Sequence, residues 1–313
     1  MGTKCIGVDL GGTTTKFGLL DREGQVEDKW EIPTRKEDAG SHILSDIAES
    51  ILKKLKDKGI DKEDIIGVGV GVPGPVGNDG KLTKCVNLGW FEPFYPEKTL
   101  SEMLGGIPVK AGNDANVAAL GELWKGGGAG YKNAVFFTLG TGVGGGVVVD
   151  GRMIAGSFGM GGEVGHITVN PHEPDACNCG NHGCLEQYAS ATGIVKQAQR
   201  ALAKSDRPSV LRDMDGFTCK DVLDAAKDGD ALAAESVEGS MRYLALVMSF
   251  ASHITDPEVF IIGGGVSKAG VYLTDMLKRL YAGYIYVSDP QAEVALASLG
   301  NDAGMYGAAR LVL

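Results

Sequence analysis

One pattern occurs twice in this 313-residue chain: an apolar strand, a glycine-and-threonine turn, then a second apolar strand. The first copy runs through Cys5-Ile-Gly-Val-Asp9, a tip at Gly11-Gly12, and Lys16-Phe-Gly-Leu-Leu20. The second runs through 134–139, a turn over 140–146 and a strand over 147–150. Two such hairpins about half a chain apart predict an internal duplication, with two α/β lobes that each present one tip to a shared cleft. The length supports two cores and not obviously three. The expected division is a smaller lobe of 1–112 plus 303–313 and a larger lobe of 113–302. The 48 glycines follow no collagen period and form no low-complexity tract, so they imply many tight turns and close backbone approaches.

The second constraint is the loop EVGHITVNPHEPDACNCGNHGCLE, from Glu163 to Glu186. Cys177, Cys179 and Cys184 crowd around Gly180 and Gly183, with His166 upstream. Three thiolates and one imidazole complete a tetrahedral Zn²⁺ shell with no open position, which predicts a structural site over 166–184. A disulfide or three buried thiols is the competing reading; clustering and the lack of an export signal favour the metal. His166 is preferred as fourth ligand because its second nitrogen can then be held towards Glu163. His172 and His182 read as exposed loop histidines. Glu163 and Glu186 flank the loop, and carboxylates around a rigid loop suit a ligand rich in hydroxyls.

The tip Asp9-Leu-Gly-Gly-Thr-Thr-Thr-Lys16 has glycines whose backbone N–H groups can approach phosphate oxygens. Its threonines add donors, and Asp9 is placed to hold Mg²⁺, through water. A Walker loop is absent, and a Gly-Gly tip by itself is equally well an ordinary turn. Asn113-Asp114-Ala115-Asn116 follows a short strand and opens a helix. An aspartate there reads as a cap or, beside a sugar and a nucleotide, as a base for an attacking hydroxyl.

Elsewhere, isoleucines and leucines at four-residue spacing predict a helix over 41–58 that ends at Gly59. IIGVGVGV over 65–72 predicts a strand buried on both faces, running into a rigid Pro73-Gly74-Pro75 turn. Helices are expected over 117–124, 185–203, 220–227 and 232–254. The last of these is apolar on most faces. A strand over 259–262 enters Gly263-Gly264-Gly265, where a flat ring can lie against bare backbone as the next helix opens; packing alone is the alternative. A strand over 293–297 and a helix over 303–313 close the chain. Cys5, Cys85 and Cys219 read as ordinary thiols, and 207–230 reads as turns apart from the short helix over 220–227.

A net charge of −10 offers no general basic field, so neither a nucleic-acid polymer nor an anionic membrane is an expected partner. No signal peptide or membrane-length apolar run is recognisable, and the expected location is cytoplasmic.

Taken together and in this order, the motifs resemble the ROK family of sugar kinases and related repressors, within the actin-like ATPase superfamily, and most of all its bacterial glucokinases. The match rests on the Asp9–Lys16 tip, Gly71-Val-Pro-Gly-Pro-Val76, Asn87-Leu-Gly-Trp90, Asn113-Asp114-Ala-Asn116, the glycines from Leu139 to His166, the cysteine loop and Gly263-Gly-Gly-Val266. The resemblance implies a two-lobed, ribonuclease H-like α/β fold of duplicated mixed sheets and ATP-dependent phosphorylation of the glucose 6-hydroxyl. Asp114 would be the base. Gly74 backbone, Asn113, Glu163, His166 and Glu186 would hold the sugar. Gly11, Gly12, Thr13, Lys16, Thr141 and Gly142 would surround the triphosphate, with Mg²⁺ near Asp9, and Gly264 and Gly265 would meet the adenosine. Zn²⁺ would sit on His166, Cys177, Cys179 and Cys184.

The resemblance also implies a dimer or tetramer. The rivals are another hexose (fructose, allose, mannose or an N-acetylhexosamine), polyphosphate as donor, or a sugar-responsive regulator. The acidic charge and a phosphate tip beginning at residue 9 leave no expected place for a DNA-binding motif.

Overall fold

A computed structural model describes residues 2–286 and 291–313. Its backbone forms two compact units, one of residues 1–130, 146–162 and 299–313 and the other of 131–145 and 163–298. The helix that begins at Asp114 therefore belongs to the first unit, whereas the sequence-based division at 112/113 assigned it to the second lobe.

In the first unit, β1 (Lys4–Leu10), β2 (Thr14–Asp21) and β3 (Val26–Pro33) form an antiparallel meander, and β4 (Ile65–Val72) and β5 (Val109–Asn113) extend it in parallel in the order β3-β2-β1-β4-β5. One face carries Ile6, Val8, Leu10, Phe17 and Leu19 onto Ile43, Ile47, Ile51 and Leu55 of α2 (Ile43–Lys58). The four-residue spacing read from the sequence is thus the buried stripe, and Gly59 ends the helix in the left-handed region at φ 63°. A single turn α1 (Glu37–Gly40) precedes it, and α3 (Pro96–Met103) follows β4.

On the opposite face lie α4 (Asp114–Lys125) and α10 (Ala303–Arg310). The alternation in IIGVGVGV explains how. Valines point to the α2 side, while a Cβ on Gly69 would stand 1.7 Å from the Ala308 carbonyl oxygen of α10. Glycine here serves close helix approach.

The second sheet runs β10-β9-β6-β7-β8, built from β6 (Ala134–Leu139), β7 (Val143–Val149), β8 (Arg152–Met153), β9 (Val259–Gly263) and β10 (Glu293–Leu296). Read as β8-β7-β6-β9-β10, this order matches the first sheet strand for strand, which is the duplication expected from the repeated motif. β7 starts at Val143, so the turn is shorter than the 140–146 expected. Gly146 belongs to a strand because its missing Cβ leaves room for Asn116 and Ala119 of α4, its Cβ position lying 2.5 Å from that of Ala119.

In the second unit, α8 (Ala231–Thr255) is buried along most of its length, as its composition predicts, and is packed by α6 (Ala191–Lys204), α7 (Cys219–Lys227) and α9 (Val271–Ala282). Two local expectations are corrected and one is met. The helix over 185–203 is two helices, α5 (Glu186–Ala189) and α6, because Ser190 turns extended (ψ 163°) and its hydroxyl caps Gly193 N–H. The short helix expected over 220–227 is α7, which Thr218 and Asp221 start with a reciprocal capping box. Finally, Gly263–Ser267 does not open α9 directly. A short turn over Gly265–Ala269 and Gly270 at φ 68° come first.

Candidate active site

In the first unit the tip between β1 and β2 closes through Gly11 N–H to the Thr14 carbonyl at 3.1 Å. Asp9 and Lys16 are register partners across the two strands. Burial pushes the Asp9 carboxyl above its ordinary pKa, against the opposing pull of Lys16. A half-buried carboxylate beside a lysine, its charge disfavoured by desolvation, is a place where an added cation would be stabilising. A Cβ on Gly12 would meet nothing within 4 Å, so this backbone is open to a ligand.

The tip has a brace that sequence reasoning missed. The Thr34 hydroxyl donates to the Gly11 carbonyl at 2.8 Å, and Thr34 N–H donates to the Thr13 carbonyl at 2.9 Å. No sequence signal announces Thr34, since its partners lie 21 and 23 positions earlier.

Asp114 is half-buried at the first position of α4. Asn113 is the cap: its Oδ1 accepts from Ala115 N–H at 3.0 Å and Asn116 N–H at 3.2 Å. Its Nδ2 reaches the Gly74 carbonyl at 3.4 Å, so Gly74, Asn113 and Asp114 are brought together. Asp114 takes part in the same helix start, its Oδ1 accepting Ala115 N–H at 2.8 Å. Cys85 also joins this region, with Sγ 3.0 Å from the Pro73 carbonyl. Burial pushes its thiol pKa up, and the nearby Asp114 charge adds to this.

In the second unit the tip between β6 and β7 closes from Gly140 N–H to the Gly142 carbonyl at 3.0 Å. The start of α6 holds it: Ala191 N–H donates to the Gly140 carbonyl at 2.8 Å and the Thr192 hydroxyl to the Thr141 carbonyl at 3.0 Å. Glu186 is bound here too. Its Oε2 accepts Val143 N–H at 3.0 Å, and its Oε1 lies 3.6 Å from Cys177 Sγ. One side chain thus joins the second tip to the cysteine loop, a contact beyond the sugar-binding role inferred from the motif. Gly264, at φ 81°, packs against the end of β6, where its Cβ would stand 2.5 Å from the Leu139 carbonyl oxygen. Gly265 faces open space, so the bare backbone expected for a flat ring lies beside the residues that lead into the tip.

The four residues singled out as metal ligands converge. One donor atom from each of His166, Cys177, Cys179 and Cys184 lies within 4.8 Å of every other. Cys179 and Cys184 Sγ are 3.6 Å apart, and Cys177 Sγ is 3.9 Å from His166 Nδ1. A disulfide needs about 2 Å between sulfurs, whereas ligands around a tetrahedral zinc ion are separated by roughly 3.5–3.8 Å for the usual bond lengths. The donor set and its spacing fit a thiophilic dication.

Burial and the neighbouring thiols push Cys184 up to about 12, and burial raises Cys177. Against its own desolvation, the Asn181 backbone and the other thiols hold Cys179 down. Of the spare histidines, both exposed, His182 has Nδ1 3.0 Å from the Glu173 carbonyl, and neither belongs to the converging group. His166 directs Nδ1 towards Cys177, and its backbone N–H, rather than its ring, is bonded to Glu163 through that residue's carbonyl.

Comparison with known proteins decides the lineage. The ROK family pattern matches residues 5–313. The chain belongs to the ROK family. Among ROK relatives, a glucokinase of Halalkalibacterium halodurans is 44% identical, with 98% of this chain and 94% of the relative covered. The crystal structure of a ROK hexokinase from Thermus thermophilus superposes with a TM-score of 0.81 at 32% identity, covering 98% of this chain and 96% of that one. A ROK glucokinase from Streptomyces griseus, solved in complex with glucose and AMPPNP, gives a TM-score of 0.72 at 32% identity, with 98% of each chain covered. The α/β architecture of two mixed sheets is accordingly the actin-like ATPase fold of ROK sugar kinases. Among the described residues, no helix of this ROK chain is long and apolar enough to cross a membrane.

Proposed function

We propose that this protein transfers the γ-phosphoryl group of ATP to the 6-hydroxyl of glucose. The observation that carries this reading is the 44% identity to a glucokinase over nearly the full length of both chains, a span that includes both glycine tips, the Asp114 helix start and the cysteine loop. The glucose and AMPPNP complex of the Streptomyces griseus relative supports the same substrate pair.

Phosphoryl transfer has a loose transition state, so the protein contributes mainly positioning and electrostatics. Asp114 accepts the 6-hydroxyl proton as that oxygen bonds to the γ-phosphorus and the bond to the β,γ-bridging oxygen breaks, releasing ADP. Asn113, Glu163, His166, Glu186 and the Gly74 backbone hold the remaining sugar hydroxyls. Gly11, Gly12, Thr13, Lys16, Thr141 and Gly142 bind the phosphates, and Gly264 and Gly265 receive the adenosine. Mg²⁺ bound with ATP supplies charge neutralisation at the phosphates, with Asp9 as the protein group that would hold it, through water. His166, Cys177, Cys179 and Cys184 would hold a structural Zn²⁺ that stiffens the loop between Glu163 and Glu186. The assembly expected in solution is a dimer or tetramer, readable by light scattering.

A coupled ADP-release assay with ATP and Mg²⁺ over a panel of hexoses tests the activity. Glucose should give the highest kcat/KM. A preference for N-acetylmannosamine, the substrate named for a 32% identical Escherichia coli relative, would replace glucose in this reading. Turnover with polyphosphate in place of ATP would replace the donor.

A further inference from the structure

Asn116 sits two residues beyond Asp114 in the first turn of α4 and is only 2% exposed. Its amide is wedged between two glycines. A Cβ on Gly162 would stand 2.3 Å from Asn116 Oδ1, and one on Gly146 would stand 3.0 Å from the Asn116 Cα. From that slot Nδ2 donates to the Gly161 carbonyl at 2.8 Å, while Oδ1 has no hydrogen-bond partner among the described residues. The amide has one workable orientation, because turning it over would set Oδ1 against the Gly161 carbonyl oxygen. An unpaired buried acceptor costs free energy, so the side chain is held there for what its donor does.

Asn113, on the other side of Asp114, ties the same turn to the Gly74 carbonyl. Asp114 is therefore framed by two asparagines, each fastened to a different backbone carbonyl. We infer that Asn116 is a positioning residue for Asp114: its single donated bond to Gly161 fixes the pitch of the first turn of α4 and so the direction of the carboxylate. The inference rests on the reading of Asp114 as the base. A shift of about 1 Å at a reacting group is enough to cost ~10²-fold in rate, so one buried hydrogen bond at this place is a kinetic element.

Asn116→Asp tests it, because the side chain keeps its shape and changes only the donor. Ionised, the introduced carboxylate opposes the Gly161 carbonyl; protonated, it donates again. Burial without a cationic partner raises the pKa of such a carboxyl, so the switch falls within an assayable range. At pH 8.5 the variant should lose on the order of 10²-fold in kcat while glucose affinity changes less than about threefold, under half of a tenfold step. As pH falls to 6, the ratio of its kcat to that of the unaltered protein should rise.

A folded Asn116→Asp protein whose ratio to the parent stays constant with pH would overturn the proposal, as would parallel losses of kcat and glucose binding. If the aspartate variant does not fold, Asn116→Ser, uncharged and too short to reach Gly161 in the same way, takes its place; parental kcat in that variant overturns the proposal equally. Asp114→Asn, run alongside, separates the two readings. Its retention of turnover removes the base assignment, whereas a dead Asp114→Asn beside a fully active Asn116 variant removes only the positioning role.

Discussion

The carboxylate of Glu122 accepts the backbone N–H of Leu299, 177 positions further along the chain, at 2.9 Å. Its other oxygen takes Gly127 N–H, also at 2.9 Å, and the residue is 1% exposed. A buried carboxylate is tolerable when backbone donors satisfy it, and truncation strands those donors. Glu122→Ala is expected to lower unfolding free energy by roughly 3 kcal/mol, as hydrogen bonds to a buried charge are each worth about 1.5–3. Urea denaturation measures it, and a loss below about 0.5 kcal/mol, the scatter of ordinary surface substitutions, would show that the contact contributes nothing.

Asp114→Asn or Asp114→Ala should remove ~10²–10⁴ of kcat, the usual worth of a positioned base. Glucose binding by calorimetry should stay close to that of the parent, because Asn113 and the Gly74 turn remain in place. Near-parental turnover in either variant would mean that another group takes the proton.

The cysteine loop should carry one zinc per chain by elemental analysis. Chelation under reducing conditions should lower the thermal midpoint, since thiolates this close repel one another without a dication between them and site binding is coupled to folding. Cys177→Ser should do the same in part. A fully metal-free protein with unchanged melting and activity would rule out a structural ion.

Glu173 and Arg200 form a two-armed pair, at 2.6 and 2.9 Å, with the Tyr188 hydroxyl donating to the same carboxylate at 2.5 Å. The guanidinium holds Glu173 down to about 2 from an ordinary 4.5. The folded pKa is the lower one, so the stabilisation is fully present above pH 4.5 and is lost as pH falls towards 2. Arg200→Ala should be less stable than the parent at neutral pH, with the difference shrinking through this acid window. Thermal melts between pH 6 and pH 3 compare the two, and a constant gap would contradict the pairing.

Much of the candidate site is legible along the chain because its donors are sequence neighbours. Asp9 and the glycine tip fall within one hairpin, Asn113 and Asp114 within one helix start, and the cysteines within one loop. The roles that went unread involve partners far apart. Glu186 reaches Val143, 43 positions away, and Asn116 reaches Gly161, 45 away. Ser190 broke an expected helix because a local hydroxyl cap prevailed over helical periodicity. The glycines after Thr141 looked like turn residues, although Gly146 stands in a strand that α4 closely approaches.

Hydrophobic periodicity and turn chemistry, which act over a few residues, determined from the sequence alone the two strand–tip–strand units, the helices expected over 41–58 and 232–254, and the clustering of the three cysteines. Tertiary packing decided the remainder: which glycines serve helix approach, which carboxylate grips a backbone and which asparagine pins the first turn of α4. Those choices depend on which groups a buried polar atom finds within about 3 Å once the chain has folded, and a linear pattern holds no record of that distance.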